Sequence, residues 1–177
     1  MHREDLQTNS DFADNASFNQ ASENSGEVVG SEKDQRFPER LNKEHVKTLP
    51  ILAFEGKIQL ITEKKGVSEA LKTLRGESVL GFDTETRPTF KKGMQHSVSL
   101  LQLSTSNEAF LFRLNHLGFP EELVSLLADP NILKVGVAIL DDVRALRKLG
   151  EFDAKGFVEL ANIASGLGIV TCGLRNL

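Results

Sequence analysis

Ser78-Val79-Leu80-Gly81-Phe82-Asp83-Thr84-Glu85-Thr86 is an apolar run of strand length that ends in two carboxylates one residue apart. Alternate side chains of a strand share a face, so Asp83 and Glu85 point the same way and Thr84 opposes them. Like charges on one face repel, and a carboxylate taken out of water is costly unless a cation or donor compensates it. Hard Mg²⁺ or Mn²⁺, which prefers oxygen ligands, is the simplest such cation. The same residues also read as a solvated strand end ahead of the Arg87-Pro88 turn, and an isolated Asp-x-Glu does not separate the two. Up to the acids the run is apolar on both faces, which places the strand centrally in its sheet.

Around this strand the chain alternates periods. Glu55 to Thr62, with Ile58 and Leu60 between polar neighbours, reads as a strand. Ser68 to Arg75 reads as a short helix with Ser68 as cap, Val67, Leu71 and Leu74 at helical spacing, and Gly76 as the stop. Val98 to Thr105 and Ala109 to Leu114 read as a hairpin turning at Asn107. Glu121 to Leu127 is helical between Pro120 and Asp129-Pro130. Ile132 to Ile139 is a further buried strand, and Asp142 to Leu149 a helix that stops at Gly150. Phe157 to Ala164 fits strand or helix, since periodicity does not decide it. Strands followed by strand–helix alternation make an α/β fold, a mixed sheet with helices packed on it.

At 177 residues and 40% apolar content, one domain with a real core is expected. Residues 1–36 hold eight acidic and three basic side chains, net −5, while the remainder holds 17 and 18, net +1. The balance does not support a strongly basic nucleic-acid binder, though it leaves room for a local basic patch. Residues 1–50 read as a polar tail and linker, with a helical turn over Arg40 to Val46, and residues 51–177 as the domain. Cys172 is the single cysteine, so an internal disulfide or thiolate zinc site is excluded. Without an apolar segment near Met1 or a run long enough to span a bilayer, the expected compartment is cytoplasmic, with no membrane partner.

The helix after Ile139 supplies a third carboxylate. Val143, Ala145, Leu146 and Leu149 form one face, with Arg144, Arg147 and Lys148 opposite. Asp141 falls off the apolar face and reads as a cap for free N–H groups. Asp142 falls on that face, an inward acid for which metal coordination supplies a purpose. Three convergent carboxylates suit hydrolysis in which metals activate water and neutralise a phosphate.

Four blocks then stand in order: Phe82-Asp83-Thr84-Glu85-Thr86, Ser99-Leu100-Leu101-Gln102-Leu103-Ser104, Val135-Gly136-Val137-Ala138-Ile139-Leu140-Asp141-Asp142 and Phe157-Val158-Glu159-Leu160. Together they resemble the 3'-5' exonuclease domains of the DEDD superfamily, nearest to the ribonuclease D and Werner-syndrome exonuclease branch. The resemblance runs from about Ile58 to the chain end. It implies a ribonuclease H-like sheet and two-metal hydrolysis, with Mg²⁺ or Mn²⁺, of nucleotides from the 3' end of DNA or RNA. Carried over by position, Asp83, Glu85 and Asp142 are the expected catalytic and metal-holding residues. The Thr84 backbone, with the nearby apolar side chains, is an expected contact to the terminal nucleotide, and Lys91 and Lys92 are candidate phosphate contacts. The family's third motif, a Tyr or His followed by the last Asp, lies downstream of the block resembling Gly173-Leu174-Arg175-Asn176-Leu177, and this chain holds no Tyr. The expectation is therefore a C-terminally incomplete domain lacking its last helices, with impaired turnover. The alternative is a catalytically inactive nucleic-acid-binding or interaction module of the same fold.

Overall fold

The computed structural model describes residues 37, 40, 42–89, 96–170 and 173. In chain order its elements are α1 (Lys43–Thr48), β1 (Lys57–Ile61), α2 (Lys64–Leu74), β2 (Val79–Thr86), β3 (Val98–Ser104), β4 (Glu108–Arg113), α3 (Leu114–Leu117), α4 (Glu121–Ala128), β5 (Leu133–Gly136), α5 (Leu140–Arg147), β6 (Phe157–Glu159) and α6 (Leu160–Gly166). The strands form one mixed sheet in the order β1-β4-β3-β2-β5-β6. β3 is antiparallel to both β2 and β4, and the remaining neighbours are parallel. The β3–β4 turn is held by the Thr105 hydroxyl, which accepts from Asn107 N at 3.1 Å and Glu108 N at 3.0 Å.

Register decides which side chains are buried. Thr84, Leu101 and Phe112 form one row across the sheet, Phe82, Leu103 and Phe110 the next, and Leu80, Lys134 and Phe157 a third. All nine side chains are buried. Against this face pack Val67, Leu71 and Leu74 of α2, Leu123, Leu126 and Leu127 of α4, and Val143 and Leu146 of α5. The rows of opposite parity, Asp83–Gln102–Leu111 and Glu85–Leu100–Arg113, lie on the other face. That face stays open among the described residues: Ile58 is 61% and Leu60 57% exposed.

The α/β fold and the hairpin follow the sequence reading, and β2 is central in the sheet. Several expectations need correction. The apolar residues of β2 are not covered on both faces, because Val79 lies on the open side and is half exposed. Ile58 and Leu60 likewise face the open side. α2 begins at Lys64 with Glu63 at its N-cap, and Ser68 sits mid-helix without a capping role. β5 ends at Gly136, not Ile139, because the chain turns through Ala138, whose φ is 59°. Phe157 to Ala164 holds both elements, β6 and then the start of α6. Most of the expected polar tail lies outside the described residues; within 42–50 the helical turn is present as α1, capped by Asn42 accepting from Glu44 N at 2.9 Å.

Candidate active site

β5 stops two residues short of where β2 bears its acids. Its last paired position faces Gly81, so the segment Phe82 to Thr86 runs on beyond it. Gly136 sits against that strand so closely that a Cβ there would lie 2.5 Å from the Phe82 carbonyl oxygen and 2.5 Å from Ile139 Cγ2. The turn that follows leads directly into α5, which therefore starts beside the acidic end of β2. Gly136→Ala is expected to destabilise the fold by about 1–3 kcal/mol through overpacking against backbone that cannot yield, measurable by urea denaturation.

Asp142, in the first turn of α5, is half-buried and accepts a hydrogen bond of 2.5 Å from the Thr84 hydroxyl. Burial raises its carboxyl above the ordinary aspartate range, the Thr84 bond opposes that rise, and the nearby Asp83 charge adds to it. Asp83 is exposed and accepts from Thr84 N at 2.9 Å. Thr84 thus ties both acids together, its amide to Asp83 and its hydroxyl to Asp142. The Thr84 side chain itself is buried on the helix side of the sheet.

Glu85 shares the open face with Asp83, as alternation requires. It lies two residues along, ~7 Å at ordinary strand rise. Its carboxylate has no hydrogen-bond or ion-pair partner among the described residues, and Ser99 Oγ bonds only its backbone carbonyl, at 3.0 Å. The ladder shifts register between Glu85 and Thr86. Asp83 and Asp142 are therefore brought together, with Asp142 arriving from the Thr84 side, and Glu85 is not gathered with them. No three His, Cys, Asp or Glu side chains form a group able to hold a metal ion among the described residues. In chemistry the donors still fit a hard divalent cation: all are carboxylate oxygens, and the repulsion between Asp83 and Asp142 is what such an ion relieves.

The sequence reading of Asp141 as a cap is not what the structure holds. Ile139 occupies the N-cap of α5 without a side-chain bond, and Asp141 pairs with Arg144 at 3.0 Å on the surface. Sequence reasoning passed over Glu159. Its carboxylate accepts from Ala138 N at 3.0 Å, Ile139 N at 3.0 Å and Ala161 N at 3.1 Å. A left-handed alanine costs about 1–2 kcal/mol, so this turn needs such restraint. The available signal was an acid closing a short apolar run ahead of a helix, a pattern too common to single it out.

Two grooves flank the acids. One, of about 590 Å³, is lined by Glu85, Arg87, His96 and Arg113 among others. The other, of about 490 Å³, is lined by Asp83, Gln102, Leu111, Val135 and Leu160 on the open face. A cavity of about 760 Å³ between α2 and α4 holds none of the three acids. Lys91 and Lys92 lie outside the described residues.

The family model described as 3'-5' exonuclease matches residues 58–176. The Mus musculus bifunctional 3'-5' exonuclease/ATP-dependent helicase WRN is 35% identical over 125 residues, covering 66% of this chain and 9% of that protein. A 3'-5' exonuclease of Arabidopsis thaliana is 31% identical over 165 residues, 85% of this chain and 56% of that protein. The chain thus spans at most about half the length of these relatives. Among solved structures, the EXD2 exonuclease domain soaked in Mg and GMP superposes with a TM-score of 0.56 at 29% identity, over 63% of this chain and 60% of that one. The Aedes aegypti Nibbler EXO domain superposes with a TM-score of 0.57 at 21% identity, over 64% and 57% of the two chains, which speaks for the fold alone. The mixed sheet is the ribonuclease H-like sheet of these domains, and with the family matched over residues 58–176 the chain belongs to the 3'-5' exonuclease domains of the DEDD superfamily.

Proposed function

We propose that the chain carries a metal-dependent 3'-5' exonuclease site acting on the 3' ends of DNA or RNA, with Asp83, Glu85 and Asp142 as its acidic residues. The observation that supports this most is the meeting of Asp142 with Asp83 at the acidic end of β2, where Thr84 bonds both acids and where burial first, and the Asp83 charge after it, raises the Asp142 carboxyl. A sequence does not place two acids in that position for stability; the arrangement costs free energy until a cation is shared. Mg²⁺ or Mn²⁺ is consistent with the soaking of EXD2 in those metals. Asp83 and Asp142 would hold a divalent ion, with Glu85, on the Asp83 face of the same strand, as the further carboxylate. Bound there, a divalent pair supplies an acidified water and neutralises the scissile phosphate. The Thr84 hydroxyl holds one Asp142 oxygen and so orients that carboxylate, and the groove beside Glu85 offers Arg87 and Arg113 to phosphates of the bound strand.

A second reading is a nucleic-acid-binding module of the same fold without turnover. It is favoured by one observation, that no three acids are gathered among the described residues. The two separate in one assay. The purified chain is incubated with 5'-labelled single-stranded and 3'-recessed oligonucleotides, DNA and RNA, in Mn²⁺ and in EDTA. Mn²⁺-dependent shortening from the 3' end is expected, and none in EDTA. Binding in the presence of Mn²⁺ with no shortening of any substrate would favour the second reading. As to compartment, no helix among the described residues is long and apolar enough to cross a membrane.

A further inference from the structure

We propose that Glu159 is a positioning residue for Asp142, an inference that rests on the metal-site reading above. Glu159 closes β6, two strands away from β2 in the sheet. One oxygen accepts from Ala138 N and the other from Ile139 N, both at 3.0 Å, across some twenty residues of chain. These two amides belong to the turn between β5 and α5, in which Ala138 holds a φ of 59° that an L-residue seldom adopts. Ile139 is the N-cap of α5 and has no side-chain cap of its own. The Glu159 carboxylate therefore does for α5 what a capping side chain would do, while pinning the strained residue just before it. Gly136 presses the same turn onto the Phe82 carbonyl. Held at both points, α5 has one direction, and Asp142 in its first turn meets the Thr84 hydroxyl.

Glu159 also accepts from Ala161 N at the start of α6, so a plain capping role has to be separated from the clamp. Two variants do this. Glu159→Asp keeps a good N-cap for α6 and the negative charge, but the shortened side chain does not span both turn amides. Glu159→Gln keeps the length and loses one acceptor. The readouts are Mn²⁺ affinity by calorimetry, exchange rates of the Ala138 and Ile139 amides, and side-chain NOEs between Thr84 and Asp142. Both variants are expected to weaken Mn²⁺ binding by about 10- to 100-fold, as loss of a ligand's supporting contacts does elsewhere, and to speed exchange at both amides. Ala138→Gly, which accepts φ > 0 without strain, is expected to recover part of the affinity in the Glu159→Asp background. A capping role alone would leave Glu159→Asp like the parent and would give Ala138→Gly nothing to rescue. Unchanged Mn²⁺ affinity, or unchanged exchange at Ala138 and Ile139, overturns the inference. If the parent chain takes no Mn²⁺, the metal reading fails, and the positioning role is judged on the Thr84–Asp142 NOEs: lost in the variants, it stands; retained, it falls.

Discussion

Asp142→Asn is expected to lower Mn²⁺-supported shortening of a 3' end by ~10³-fold, about 4 kcal/mol of barrier, while the folded state becomes no less stable. Asparagine keeps the shape of the side chain and an acceptor oxygen for the Thr84 hydroxyl, so the contact that seats α5 on β2 survives. What disappears is the charge. Burial, and after it the Asp83 charge, raises the Asp142 carboxyl above its unfolded value. An acid whose folded pKa is raised contributes unfavourably as the pH rises past its unfolded value, and that cost is absent well below it. Removing it should hold or increase the melting temperature near pH 7 and narrow the difference between parent and variant as the pH falls into the carboxylate range. Loss of turnover with gain of stability is the signature of a residue kept for chemistry. Asp83→Ala is expected to lose activity to a similar extent, without the same gain, since Asp83 is exposed. Undiminished shortening by either variant in a parallel assay would remove that residue from the site.

How much of this was legible in the sequence depended on whether a local period carried the information. Alternation alone put Asp83 and Glu85 on one face and Thr84 on the other, and the wheel put Asp142 inward; both hold in the structure. What alternation does not say is which face of a strand the helices cover. In the apolar run Ile132 to Ile139 nothing marks Lys134 as the residue the helices cover; the register does, by setting it between Leu80 and Phe157 on the helix-covered face. The end of β5 was hidden for a related reason: Val137 and Ile139 continue the apolar run, and nothing in their identity marks the left-handed Ala138 between them. Glu159 acts on amides twenty residues upstream, and no local pattern encodes a contact of that span.

Lys134 carries the second large prediction. Its side chain is fully buried in the core row between Leu80 and Phe157. Nζ donates to the Asp129 and Ile132 carbonyls at 2.7 Å each and lies 5.1 Å from the centre of the Phe157 ring. Gly156 makes room for it: its φ is 69°, and a Cβ there would stand 3.1 Å from Nζ. Lys134→Ala strips two buried carbonyls of their donor and leaves a void, so a loss of about 4 kcal/mol is expected, a large share of the ~5–15 kcal/mol that holds a domain folded. Burial lowers the Lys134 ammonium to about 8, with the Asp129 charge opposing. A neutral amine has two protons to donate and two carbonyls to receive them, whereas the third proton of the charged form has only the ring. Between about pH 8 and 10.5 the unfolded chain keeps the Lys134 proton and the folded chain does not. Stability therefore rises with pH across that window, by up to about 3 kcal/mol in all. The chain has no tyrosine to ionise in the same range. Urea melts of the parent from pH 7 to 10.5, set against Lys134→Met, isolate the effect, since Cys172 and the surface lysines cancel in the difference. The parent should gain on the variant as the pH rises, and parallel profiles for the two would show that the buried amine does not change its protonation on folding.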